Sequence, residues 1–141
     1  MIRLGAAIGA LTFALSAALP ASAYDQEQQW ELQIGQKEYQ TLQQQGKIVT
    51  NSPYYRTLDP IAHRISAVAN AKYFVPFHFI LVNDSQPNAF AVPGGNVYVT
   101  TAMMSFARSQ EELAGVLCHE TSHDIHHDIY TMAQKDQNLQ I

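Results

Sequence analysis

An α+β domain is what this sequence predicts: a small three-stranded sheet with helices on one side. Three observations carry the prediction. Apolar residues recur at helical spacing near both ends of the chain. Between them lie three short runs of β-branched and aromatic residues, separated by turn signals. The order is helix, helix, strand, strand, strand, helix. With 141 residues there is room for one ordinary domain.

The first 23 residues read as a secretory signal peptide and not as part of the fold. Arg3 is followed by an uncharged, Ala-rich apolar run and then by Ala21-Ser22-Ala23, a small-residue cleavage signal. The run is too short, and too soon broken by Pro20, to favour a membrane anchor. The domain is therefore expected over 24–141, secreted, with no stable membrane span after cleavage.

Trp30 and Ile34, with Leu32, Tyr39 and Leu42, set out a first helix with Gly46 as its stop. Ser52-Pro53 signals a second start. Leu58, Ile61, Ile65 and Val68 continue as an amphipathic stripe, bent or restarted at Pro60. "VPFHFILVN" reads as a strand, "DSQPN" as a turn and "AFAV" as a second strand. "PGG" is a tight turn and "NVYVT" a third strand. His63 and His78 read as ordinary surface and strand positions. "TTAMMSF" is a short helix with Met103 and Met104 as core fillers. Ser109 and Glu112 form a capping box opening one long helical stretch, "QEELAGVLCHETSHDIHHDIYTMAQKD".

Eight Lys and Arg stand against 12 Asp and Glu, with no basic stripe, which excludes nucleic acid as a partner. A single cysteine excludes an internal disulfide, and Cys118 reads as a small buried residue. Composition leaves the oligomeric state open.

The chemistry lies in His119-Glu120-Thr121-Ser122-His123, an H-E-x-x-H. On a helix the two histidines differ by about 40° in direction and stand one turn apart, so both imidazoles reach one ion. Glu120 lies beside them, placed as a base rather than a ligand. Zinc held there lowers the pKa of a bound water to about 7 and polarises a carbonyl, and the carboxylate takes the water's proton.

A catalytic zinc needs a third protein ligand. His126 and His127 lie about 10 to 12 Å along a straight helix from His119, out of reach. The position ten after His119 is Ile129, and no glycine turn precedes it, which excludes the metzincin arrangement. No glutamate follows Glu120. The closing ligand is therefore expected from a longer chain, from Asp136 or from a partner copy, unless this is a shortened member. An overlapping H-D-x-x-H at His123–His127 is a weaker second motif.

Asn88-Ala89-Phe90-Ala91-Val92-Pro93-Gly94-Gly95, followed by Glu111-Glu112-Leu113-Ala114-Gly115-Val116-Leu117 and the H-E-x-x-H, resembles the HtpX/BepA/CAAX-prenyl-protease-type zinc metallopeptidases, the gluzincin family M-forty-eight. The resemblance covers most of residues 25–135. It implies a zincin-like fold, His119 and His123 as ligands of one Zn2+, and Glu120 as general base. It further implies a metalloendopeptidase, most simply in a bacterial periplasm, that hydrolyses unfolded or misassembled proteins. A catalytically incomplete, chaperone-like polypeptide-binding module is the alternative, and a histidine-rich metal binder a third.

"PGGNVYVT" is expected to be an edge strand beside the zinc helix, pairing with an extended substrate by β-augmentation. Asn88, Gly94, Gly95, Asn96, Val97 and Tyr98 are the substrate-binding residues on that reading, the glycines allowing close backbone approach.

Overall fold

The computed structural model describes residues 24–138; the signal-peptide reading of residues 1–23 lies outside them. The element order is α1 (Gln26–Gln44), β1 (Ile48–Val49), α2 (Tyr55–Ala69), β2 (His78–Val82), β3 (Ala89–Val92), β4 (Asn96–Thr100), α3 (Thr101–Phe106), α4 (Gln110–Ile125) and α5 (Asp128–Asn138).

Helix α1 opens on a capping box between Asp25 and Gln28. It stops where expected, at Gly46, whose φ of 66° a residue with a Cβ rarely adopts. Helix α2 starts two residues after Ser52-Pro53, and Pro60 lies inside it without ending it. Thr100 caps α3, and Ser109 caps α4 by accepting from the Glu112 N–H. The expected long final helix is two helices. At the junction His127 has φ 54°, the one positive φ outside glycine among the described residues.

The sheet has four strands rather than three, in the order β1-β2-β4-β3. The extra strand is β1, two residues antiparallel to the end of β2. The Tyr55 hydroxyl donates to the Val49 carbonyl at 2.7 Å and accepts from the Leu81 N–H at 3.3 Å beside it. Strand β4 runs parallel to β2 and antiparallel to β3. "NVYVT" is therefore an inner strand, not the expected edge. Val97 is flanked by Phe79 on one side and Ala91 on the other. The free edge beside α4 belongs to β3.

Helices cover both faces, not one. Val97 and Val99 of β4, Ala89 and Ala91 of β3 and Leu81 of β2 pack with Leu58, Ile61, Leu113 and Leu117 of α2 and α4. Tyr98 and Val82 face the opposite way, onto Leu42 of α1, with Phe90 and Val92 beside them. This is the alternation that a pleated strand imposes, used on both sides.

Helix α1 presses its backbone onto the turn between β3 and β4. A Cβ on Gly35 would stand 2.3 Å from the Pro93 carbonyl oxygen. At Gly95, with φ 85°, it would stand 2.7 Å from the Pro76 carbonyl oxygen. The close approach that Gly94 and Gly95 permit thus serves the chain's own backbone. Gly35→Ala is expected to cost about 1–3 kcal/mol as the helix is pushed off the turn. A urea melt unchanged by the substitution would show that α1 does not bear on it.

Candidate metal centre

Leu113, Leu117, Thr121 and Asp124 of α4 are buried, at the spacing of one helix face. That face anchors the helix on the sheet and turns His119, Glu120 and His123 to its flank, beside the edge of β3. His119 is exposed; Glu120 and His123 are half-buried.

The structure brings these three together. The Nε2 atoms of His119 and His123 are 3.2 Å apart, and the ligand atoms of all three side chains lie within 4.8 Å of one another. Two Zn–N bonds of about 2.0–2.1 Å at a tetrahedral angle span roughly 3.3 Å, so the pair fits zinc. His123 Nδ1 is 2.7 Å from Asp128 Oδ2. With the proton on Nδ1 donated to that carboxylate, the Nε2 lone pair is left for a metal. Glu120 Oε2 accepts from the Ala91 N–H at 3.4 Å, which holds the carboxylate against the β3 edge.

The other candidates separate. His126 Nδ1 faces the Ser122 carbonyl oxygen at 2.8 Å, and His127 turns to Glu27 and Glu31 on α1. Asp136 joins neither of the two groups of side chains among the described residues whose donor atoms lie close enough together to hold a metal ion. Val97 and Tyr98 are fully buried, so their side chains do not meet a substrate, and Tyr98 stacks on Phe90 on the sheet's far face. Asn88 is exposed and Asn96 half-buried. Cys118, expected inside, is exposed.

Sequence reasoning missed Asp128, because a straight helix would carry it away from His123. It also missed Asp124, which is 2 % exposed and accepts from the Gly95 N–H at 3.2 Å. Burial pushes its carboxyl up to about 8; the Gly95 N–H opposes this, and Glu31 and Glu120 add to it. The native state thus keeps a proton that the unfolded chain loses near the ordinary value of 3.8. Stability falls as pH rises between those two values, by up to about 1.4 kcal/mol per unit. Asp124→Asn should raise the melting temperature of the metal-free chain at pH 8 and change it little at pH 4. Parallel shifts at both would assign the effect to packing instead.

Residues 54–141 match the family model for peptidase family M48. The chain is 39 % identical over 82 residues to the beta-barrel assembly-enhancing protease of Yersinia pestis, covering 58 % of this chain and 17 % of that protein. It is 31 % identical over 93 residues to the protein of that name from Escherichia coli (strain K12), covering 66 % and 19 %. To Protease HtpX of Legionella pneumophila (strain Corby) it is 36 % identical over 78 residues, covering 52 % and 25 %. The chain thus spans less than a fifth of the length of the first two.

Proposed function

Because the chain belongs to peptidase family M48, we propose that it carries the metal-binding and general-base core of a zinc metalloendopeptidase with a zincin-like fold. The observation that carries this reading is the 3.2 Å approach of the two Nε2 atoms with Glu120 beside them. Zinc, when bound, acidifies a water and polarises a peptide carbonyl. His119 and His123 would hold it, and the Asp128 carboxylate, 2.7 Å from His123 Nδ1, fixes the ring orientation of His123. Glu120 accepts the water's proton and returns it to the leaving amine.

Substrate lies along β3. The Ala91 N–H points away from β4, toward Glu120. By the two-residue alternation of an antiparallel pair, the Ala89 N–H points the same way. An extended peptide pairing there brings its carbonyl beside the carboxylate, and backbone pairing selects extended or unfolded polypeptide over any one side chain. Two relatives named for beta-barrel assembly make misassembled envelope proteins, met in a periplasm after removal of residues 1–23, the substrates this reading favours.

Casein hydrolysis should disappear with a chelator and return with Zn2+; hydrolysis that survives metal removal would overturn the proposal. Ala89→Pro should weaken binding of an unfolded peptide by about tenfold and leave zinc affinity unchanged, since edge strands tolerate proline on the open side. Equal loss of both would move the substrate off β3.

A further inference from the structure

A second set of ligand-type side chains meets at the break between α4 and α5, away from the His119–His123 pair. We propose that Glu27, Glu31 and His127 form a second site for a divalent transition-metal ion, which fastens α1 to the end of α4. His127 Nδ1 is 2.9 Å from Glu31 Oε1 and 3.2 Å from Glu27 Oε1, and the three donor atoms lie within 4.8 Å of one another. Donors sharing one zinc through bonds of about 2.0–2.2 Å stand roughly 3.3–3.5 Å apart; the His127–Glu27 pair stands close to this, and the His127–Glu31 pair, here a hydrogen bond, opens by a few tenths of an ångström to take an ion.

A plain ion pair does not account for the arrangement. One ring nitrogen carries one hydrogen and faces two carboxylates. Even a protonated imidazole leaves the trio negative. Glu31 is 1 % exposed, where uncompensated charge is most costly. A divalent cation balances this charge.

The surroundings are built like an outer shell around a metal. The Tyr73 hydroxyl donates to Glu31 Oε2 at 2.8 Å and accepts from the Gly94 N–H at 2.9 Å, which fixes the carboxylate and leaves Oε1 to face His127. The left-handed backbone at His127 turns its ring to α1, and the ring rests against Tyr73 at 5.6 Å between centroids. Glu27 is half-exposed and gives an ion its way in. One imidazole with two carboxylates suits Zn2+ or Mn2+ rather than Ca2+, which takes oxygen ligands.

The test is native mass spectrometry and thermal melting of the full chain with added Zn2+, in a His119→Ala/His123→Ala background. One zinc should remain and raise the melting temperature. Glu27→Gln should abolish both effects, or weaken binding at least about tenfold, while leaving the metal-free melt unchanged; His126→Ala should change neither. His127→Asn is the second variant, should Glu27→Gln alter the metal-free fold. No zinc in the background variant would overturn the proposal. So would zinc that survives both substitutions, or zinc lost on His126→Ala instead. Because the background lacks the first pair, the result is independent of whether that pair is catalytic.

Discussion

Glu120→Gln is expected to lower kcat for peptide hydrolysis by about 10²–10⁴-fold with zinc still bound, the range that a positioned general base supplies. The amide has the same size and keeps an oxygen for the Ala91 N–H, so the contact with β3 survives. What it loses is the capacity to take a proton. A fluorogenic peptide assay beside metal analysis of the same sample reads both quantities. Hydrolysis within tenfold of the parent would remove Glu120 from the reaction. Zinc lost together with activity would make Glu120 a ligand.

Asp128→Ala is expected to weaken zinc binding by about 10–100-fold, although Asp128 touches no metal on this reading. Its carboxylate selects the His123 tautomer with the proton on Nδ1 and holds the ring plane. Without it both tautomers are open, and one of them places a proton on the ligating nitrogen. Asp128→Asn keeps an acceptor of the same shape and should lose less. Competition titration against a chelator of known affinity measures the difference. Equal affinities for parent and Ala variant would confine Asp128 to the start of α5.

The H-E-x-x-H, the Ser109 cap and the Gly46 stop were legible because each is local: the spacing or the backbone demand lies within a few residues. Strand order was not. Alternation in "NVYVT" tells which side chains share a face, never which strand lies alongside, so the free edge was assigned to β4 when it belongs to β3. Two residues of β1 are too few to show a period. The break at His127 carries neither glycine nor proline, and only its contacts with α1, 96 positions back, explain the turn. Asp128 reaches His123 because of that break. Glu31 reads as one more polar residue of a Gln-rich helix until the fold encloses it.

Helix α1 lies outside the stretch that matches the family, which begins at residue 54. It nevertheless supplies Leu42 and Tyr39 against Tyr98, Phe90 and Val92. A chain trimmed to the matching stretch would present a bare aromatic sheet face to water and would be expected to precipitate or to seek another chain. The stretch that matches the family model and the unit that folds have different borders here. An expression clone designed from that stretch alone would discard the roof of its own sheet.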